Sequence, residues 1–216
     1  MKTVAVIDYG MGNLHSVAKA LEHVATDHKV LVSSEPAQIL QADRVVLPGV
    51  GAIRGCVGEL KRFGMDEVVR EAAQNKPLLG VCVGMQALLQ FSAENDGTDC
   101  LGLLPGRLAF FGDAFADQTA AQRLKVPHMG WNRVQQSDSD HPMWQGIDQD
   151  SYFYFVHSYF LPLSQSEGVC AATAEYGEVF CAAVSKGNIF ATQFHPEKSA
   201  LAGLRLYENF LAWDGE

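Results

Sequence analysis

The sequence predicts an α/β fold, in which an open and mostly parallel β-sheet is flanked by helices and carries an antiparallel β annex in its C-terminal half. Three observations predict it. Apolar, β-branched runs alternate with segments of helical periodicity in the first half, as parallel strands joined by helices do. Aromatic and β-branched runs separated by short turns follow in the second half, which is typical of antiparallel strands. No linker divides the 216 residues, so we expect one domain over 1–216.

In the first half, four short apolar runs predict strands, and three segments with apolar residues at helical spacing predict helices between and after them. The helix that begins at Met65 is predicted to end before Pro77, because proline cannot continue a helix. The predicted strands are 3–8, 29–33, 44–47 and 78–82, and the predicted helices are 13–24, 65–73 and 85–89.

In the second half, four further runs predict strands at 151–161, 169–176, 179–185 and 189–194. A last helix is expected after Ser199, which suits an N-cap. The polar stretches 92–99 and 112–122 are expected to be loops. The apolar stripe predicted for the last helix consists of Leu201, Leu204, Tyr207 and Leu211.

Composition excludes several classes of function. The net charge of -9 repels phosphate backbones, so we expect no nucleic-acid partner. No apolar run approaches the ~20 residues of a membrane span, and the N-terminal run is too short for a signal peptide. The five cysteines are scattered and form no C-x-x-C pair, which predicts a reducing cytoplasm and no structural metal site.

Two further patterns argue against a bound cofactor. The segment 10–12 reads G-x-G, but His15 stands where a dinucleotide-binding loop has its third glycine. The chain also lacks the G-x-x-x-x-G-K-[ST] loop that binds nucleotide phosphates. We therefore expect no cofactor.

The sharpest local pattern is G-V-C-V-G at 80–84, where a predicted strand ends at Cys82 and a helix follows. Glycines on both sides let a nucleophile stand on a strained strand-to-helix turn, where larger neighbours collide with adjacent chain. The helix N-terminus favours a thiolate, and the Val83 N–H is placed to bind an oxyanion. A buried structural cysteine remains the alternative on this pattern alone.

A candidate base follows the last predicted strand. His195 and Glu197 are two residues apart, which on a strand places both side chains on one face. The carboxylate then orients the imidazole, as in nucleophile–base–orienter sets. Because the carboxyl ends of parallel strands share one sheet edge, Cys82 and His195 are expected to meet there. The pattern alone also fits a structural histidine.

A glycine loop follows the strand predicted at 44–47. Gly49, Val50 and Gly51 allow a close backbone approach, and such a loop presents N–H groups to an oxyanion in a thiol hydrolase. An ordinary tight turn is the alternative on sequence alone.

Together these motifs resemble class I (triad-type) glutamine amidotransferases. G-V-C-V-G-M-Q at 80–86 is similar to the nucleophile motif of that family, and Q-F-H-P-E-K-S at 193–199 to its His/Glu motif. Four further segments resemble, more narrowly, the amidotransferase subunits of imidazole glycerol phosphate synthases. These segments are V-I-D-Y-G-M-G-N-L-H-S-V, L-P-G-V-G-A, V-P-H-M-G-W-N and Y-F-V-H-S-Y-F. The stretch 111–123 matches no motif of the family, and we expect a variable loop there.

The resemblance implies a flavodoxin-like sheet and a role for each matched residue. Cys82 attacks the side-chain amide of L-glutamine, His195 transfers the proton, and Glu197 orients His195. The Val83 N–H and an N–H of the loop 49–51 bind the oxyanion. The residues implied to hold the backbone groups of glutamine are Gln86, Glu94, Ser158 and Tyr159.

The resemblance also implies a partner, because the ammonia must be used by a second active site. That partner is a βα-barrel cyclase, which forms a heterodimer with the amidotransferase and makes imidazole glycerol phosphate and aminoimidazole carboxamide ribotide in histidine biosynthesis. Weak glutaminase activity is implied until the partner is engaged. The positions implied near the interface are Trp131, Asn132, Tyr154 and Lys198.

Three other functions remain open at this point. They are an amidotransferase subunit that serves another synthase, a stand-alone cysteine hydrolase of the same fold, and a regulatory subunit with a relic site.

Overall fold

A computed structural model describes residues 1–116, 119 and 124–216. The strands are β1 Lys2–Ile7, β2 His28–Ser33, β3 Arg44–Gly49, β4 Leu78–Cys82, β5 Phe91–Ser92, β6 Thr98–Asp99, β7 Arg107–Phe110, β8 His128–Gln136, β9 Ser151–His157, β10 Tyr159–Phe160, β11 Cys170–Tyr176, β12 Glu178–Lys186 and β13 Ile189–Thr192. The α-helices are α1 Leu14–Val24, α2 Pro36–Gln41, α3 Ile53–Arg62, α4 Met65–Asn75, α5 Val83–Leu88, α6 Phe111–Ala114 and α7 Ala200–Ala212.

Nine strands form one mixed sheet in the order β2-β1-β3-β4-β13-β12-β11-β8-β9. The first five strands are parallel, and the remaining strands continue the sheet in antiparallel pairs. A second sheet has the order β10-β7-β5-β6. The predicted α/β class is confirmed, and the antiparallel annex joins the parallel part through β13.

The central parallel strands are apolar along their length because helices cover both faces of the sheet. Every residue of β3 and β4 is buried. The helices α1, α3 and α4 each turn their apolar residues toward this sheet, and one apolar cluster runs from Val4 to Trp213. Among the described residues, no helix combines the length and hydropathy needed to cross a membrane.

Several sequence-based expectations for individual elements are wrong. The strand predicted at 151–161 is interrupted at Ser158, where β9 gives way to β10. Ser199 precedes α7 but does not cap it, because its hydroxyl donates to His195 O at 2.6 Å. Leu201 is 82% exposed and so lies outside the buried stripe of α7. The helices α2 and α3 were not predicted.

The stretches predicted as loops contain regular structure. The stretch 92–99 holds a 3₁₀ turn, Glu94–Asp96, between two short strands. In the stretch predicted as a variable loop, 111–123, the start is the helix α6, and Phe111 is buried among aromatic rings. Residues 117–118 and 120–123 of that prediction lie outside the described residues. Burial of Phe111, rather than local polarity, accounts for the ordered start.

The sheet order brings three chain segments to one edge. The strands β3, β4 and β13 are neighbours and parallel, so their carboxyl ends lie side by side. Gly49 ends β3, Cys82 ends β4, and His195 follows three residues after β13. A site at this edge is the arrangement expected for open α/β sheets.

Candidate active site

Cys82 stands on a sharp turn between β4 and α5. Its backbone has φ 55° and ψ -113°, a region that L-residues rarely adopt. Such a conformation costs of order 1–3 kcal/mol and persists only where the surrounding structure enforces it. The turn brings the side chain to the wall of a cavity, although the residue is only 3% exposed.

The glycines beside Cys82 are required by close packing. A Cβ on Gly84 would overlap the carbonyl oxygen of Leu47 in β3. A Cβ on Gly80 would lie 2.8 Å from Leu88 Cδ1 and 3.0 Å from Ala191 Cβ. Larger residues at both positions would therefore collide with neighbouring strands and helices, as the sequence pattern predicts.

His195 and Glu197 form a buried pair. His195 Nδ1 lies 2.8 Å from Glu197 Oε1, and the two side chains are 3% and 0% exposed. Because a carboxylate only accepts, Nδ1 carries the hydrogen and Nε2 is the nitrogen left to exchange protons. The reason given from sequence was wrong, however. β13 ends at Thr192, and Glu197 lies in the 3₁₀ turn Pro196–Lys198 rather than on a shared strand face.

Two side chains hold Glu197 from behind. Asn13 Nδ2 donates to Glu197 Oε1 at 3.3 Å, and the Tyr207 hydroxyl donates to Oε2 at 3.5 Å. Burial raises the pKa of Tyr207, and the negative charge of Glu197 raises it further, so the phenol keeps its proton. Sequence reasoning missed both residues. Asn13 stands in the D-Y-G-M-G-N segment, which was considered as a nucleotide loop and as a family motif but was given no catalytic role.

The imidazole of His195 favours its charged form. Burial lowers its pKa, but hydrogen bonding and charge interactions with Cys82 and Glu197 outweigh that cost and raise the pKa to about 10. Nε2 is buried without a hydrogen-bond partner among the described residues, so it is free to exchange a proton with a group in the cavity.

The loop after β3 forms part of the cavity wall. Val50 and Gly51 line it, together with Val83, the first residue of α5. The N–H of Val83 lies in the first helical turn, where no intrahelical acceptor is available. Gly49 does not line the cavity, because it is wedged below the turn, where a Cβ would lie 2.5 Å from Gly84 N.

The cavity has a volume of about 400 Å³, enough for an amino acid. It is lined by Cys82 and His195 and by all four positions implied to hold glutamine, which are Gln86, Glu94, Ser158 and Tyr159. Glu94 Oε2 accepts the backbone N–H of Ile53 at 2.9 Å, which ties the carboxylate to the start of α3. Ser158 and Tyr159 reach the cavity because β9 breaks at Ser158.

Three of the four positions implied to face a partner lie together, and one of them, Lys198, lines the cavity. Trp131 and Tyr154 have ring centroids 6.0 Å apart, and Lys198 Nζ lies 5.8 Å from the Tyr154 centroid. Trp131 is 52% exposed. Asn132 does not join them, because alternate residues of β8 face opposite sides, and its amide donates to Glu175 O at 2.8 Å.

Two histidines behind the substrate-binding segment form a directed hydrogen-bond chain. His157 Nδ1 lies 2.8 Å from the Tyr159 carbonyl, which only accepts, so Nδ1 carries the hydrogen and Nε2 is an acceptor. His128 Nδ1 lies 2.9 Å from that Nε2 and therefore donates. Burial lowers the pKa of His128 to about 4 and of His157 to about 3, so both rings are neutral. Sequence reasoning gave neither a role.

The arrangement suits nucleophilic attack on a small amide or ester. It holds a thiol on a turn, a base oriented by a carboxylate, and backbone N–H groups beside a cavity. Among the described residues, no group of three His, Cys, Asp or Glu side chains is placed to hold a metal ion.

Comparison with known proteins agrees with this geometry. The family model described as glutamine amidotransferase class-I matches residues 5–212. The chain is 58% identical to imidazole glycerol phosphate synthase subunit HisH 1 of Pseudomonas aeruginosa, over 100% of this chain and 99% of that protein. It is 57% identical to subunit HisH of Pseudomonas putida, again over 100% and 99% of the two chains.

Solved structures share the fold at low sequence identity. The glutaminase domain of Trypanosoma brucei CTPS, with bound acivicin, matches with a TM-score of 0.64 at 18% identity, over 99% of this chain and 95% of that one. PurLQS from Thermotoga maritima matches with a TM-score of 0.70 at 17% identity, over 98% of each chain. At such identities the likeness concerns the fold alone.

Proposed function

The chain belongs to the class I glutamine amidotransferases, and on that premise we propose that it is the glutaminase subunit of an imidazole glycerol phosphate synthase in histidine biosynthesis. It hydrolyses L-glutamine to glutamate and ammonia, and the ammonia passes to a cyclase subunit. The observation that carries the chemistry is the meeting of Cys82 and the His195–Glu197 pair at one cavity, with Nδ1 and Oε1 2.8 Å apart.

In the proposed first step, Cys82 Sγ attacks the side-chain amide carbon of glutamine and forms a C–S bond. His195 holds the proton that left the thiol and delivers it from Nε2 to the departing nitrogen, so ammonia leaves as a neutral molecule. The raised pKa of His195, about 10, supports this assignment, because it keeps the proton on the ring until the C–N bond breaks.

In the second step, water adds to the thioester and His195 takes a proton from it, so glutamate leaves and Cys82 is restored. Glu197 keeps the ring in the Nδ1–H tautomer through both steps and stabilises its charge. The anchoring of Glu197 by Asn13 and Tyr207 supports this role.

The oxyanion of each tetrahedral intermediate is proposed to bind the Val83 N–H and an N–H of the loop 49–51. The supporting observation is that Val50, Gly51 and Val83 line the same cavity. Loss of one such donor costs about 3–4 kcal/mol of transition-state stabilisation. The glycines leave the loop peptides free to turn, so a partner can complete the oxyanion site on binding.

Glutamine is proposed to bind with its ammonium group near Glu94. One oxygen of Glu94 is engaged by the Ile53 N–H, which orients the other toward the cavity. Gln86, Ser158 and Tyr159 are proposed to bind the remaining backbone groups of the substrate, since all three line that cavity.

The ammonia acceptor is proposed to be a βα-barrel cyclase subunit, in a heterodimer located in the cytoplasm. Neutral ammonia must reach the second site before it is protonated or lost, which requires a partner that docks over the cavity. The group formed by Trp131, Tyr154 and Lys198 is the proposed contact, because Lys198 lines the cavity and the exposed Trp131 packs beside Tyr154 as an aromatic surface.

Ammonia transfer tests this function. We expect a βα-barrel cyclase to co-purify with the chain and to raise its glutaminase rate. A Cys82→Ser chain in complex with the cyclase should lose glutamine-dependent product and regain it with added ammonium salt.

The alternatives give other outcomes in the same assays. A stand-alone hydrolase shows no rescue by ammonium, and a subunit of another synthase co-purifies with a different enzyme. A relic site forms no adduct on Cys82 with a glutamine-derived diazo-ketone. Any of these results contradicts the proposal.

A further inference from the structure

Gln193 is a buried polar residue that the mechanism above does not use. It follows β13 directly, is fully buried, and its backbone N–H donates to Ala182 O at 2.8 Å. Burying a side-chain amide without hydrogen-bond partners costs free energy, so we ask which groups bind its oxygen and its N–H groups. Its side chain extends between Gln86 and the nucleophile.

The amide nitrogen of Gln193 faces the reacting sulfur. Gln193 Nε2 lies 3.9 Å from Cys82 Sγ, a long N–H···S contact that shortens readily when the sulfur becomes anionic. No other side-chain amide of the described residues donates to that sulfur.

The orientation of the Gln193 amide follows from a backbone carbonyl. The Tyr159 carbonyl can only accept, so the Gln86 atom 3.4 Å from it is the nitrogen Nε2. The same Nε2 lies 2.9 Å from the Gln193 side chain and needs an acceptor there, which is Oε1. Gln193 therefore turns its oxygen to Gln86 and its nitrogen to Cys82.

The neutral histidine pair supports that carbonyl. His157 Nδ1 also donates to the Tyr159 carbonyl, at 2.8 Å, and His128 fixes the tautomer of His157. The direction of every hydrogen bond from His128 to the sulfur is thus determined by one backbone acceptor. An inverted Gln193 amide would place two oxygens, or two nitrogens, in contact along this path.

We propose that Gln193 is a further catalytic residue, whose side-chain N–H stabilises the anionic sulfur of Cys82 and keeps it directed at the substrate carbon. The proposal rests on the proposed function for its place in glutamine hydrolysis. Its physical content concerns only the sulfur: a fixed N–H donor favours the thiolate over the thiol. No atom is transferred to or from Gln193.

Alkylation of Cys82 by iodoacetamide, followed across pH by peptide mass spectrometry, tests the proposal without glutamine. Gln193→Met removes both hydrogen-bonding groups without adding a charge, whereas Gln193→Glu keeps the acceptor for Gln86 and places a carboxyl group beside the sulfur. The control is Thr192→Val, which removes a buried hydroxyl bonded to Phe194 O at 3.0 Å and does not touch the sulfur. The other titratable neighbours of Cys82 remain in all variants, and they are Tyr9, Cys56 and His195.

In Gln193→Met, the pH of half-maximal alkylation should rise by about one unit, the size expected for a lost hydrogen bond to a charged group. In Gln193→Glu it should rise further, because the carboxylate also repels the thiolate. The alkaline plateau rate should stay within about twofold, because a fully ionised thiolate reacts without help. Thr192→Val should leave both quantities unchanged. A lowered plateau with an unmoved midpoint indicates a structural role and overturns the proposal, as does an unmoved profile.

A measurement on the unmodified protein covers the case in which neither variant folds. In protein labelled with ¹⁵N-glutamine, the Gln193 side-chain amide proton should move downfield as Cys82 ionises, and Cys82→Ser should abolish the movement. A static resonance overturns the proposal. If alkylation behaves as expected but glutamine is not hydrolysed, the proposed function fails and the contact between Gln193 and the sulfur stands.

Discussion

Replacing Gly84 by alanine tests whether the close approach of α5 to β3 sets the geometry of the nucleophile. The added Cβ would overlap Leu47 O and lie 2.9 Å from Leu47 C and 3.3 Å from Pro48 C. All three are backbone atoms of the strand that leads into the glycine loop, so no flexible side chain can absorb the clash. The Cys82 turn and the loop must therefore separate.

The expected losses follow from that separation. Overpacking of this kind destabilises by about 1–3 kcal/mol. If the Val83 N–H and the loop N–H no longer converge on one point, one oxyanion donor is lost, which lowers kcat by about 10²–10³. Urea unfolding measures the first quantity, and ammonia release in the presence of the cyclase measures the second.

Gly58→Ala is the matched control. Gly58 lies exposed within α3, and a Cβ there meets no atom within 4 Å. Alanine should stabilise the helix by about 0.5–1 kcal/mol and leave kcat unchanged. If Gly84→Ala retains its unfolding free energy within about 0.5 kcal/mol and its kcat within twofold, the packing argument is refuted.

Three further predictions concern charge and hydrogen bonding. Glu197→Gln should lower the pKa of His195 from about 10 and reduce kcat by about 10²–10⁴. Histidine NMR measures the pKa, and an unchanged titration of the His195 resonance would contradict the role of the carboxylate. Tyr207→Phe removes one donor to Glu197 and should lower kcat less than tenfold, with KM unchanged; a larger effect on KM would point to cavity repacking. The pKa values of His128 and His157 are lowered to about 4 and 3, so the unfolded chain binds more protons than the folded chain below pH 6.5. The free energy of unfolding should therefore fall as the pH drops from about 6.5 to 4. His157→Gln should flatten this dependence in urea titrations, and an equal slope would disprove the assignment.

The local sequence determines the secondary-structure elements and the types of reactive side chain in the site. The strand–turn–helix around Cys82 was predicted because glycines at 80 and 84 suit close packing, and the steric environment of both glycines agrees. The parallel first half was predicted because alternating apolar runs and amphipathic helices bury a sheet on both faces. These features depend on residues close together in the sequence, so a short sequence window contains the physical cause of each predicted element.

Tertiary structure alone decided how distant segments meet. Nothing local indicates that β13 pairs with β4, yet that pairing brings the turn of His195 to Cys82. The contact of Glu197 with His195 arises in a 3₁₀ turn held by Asn13 and Tyr207 from other elements, so strand periodicity gave the wrong reason for it. Gln193 and the histidine pair likewise acquire partners more than twenty residues away. The physical reason is that hydrogen-bond direction and burial are properties of the folded surroundings, whereas a sequence pattern reports only the preferences of each segment.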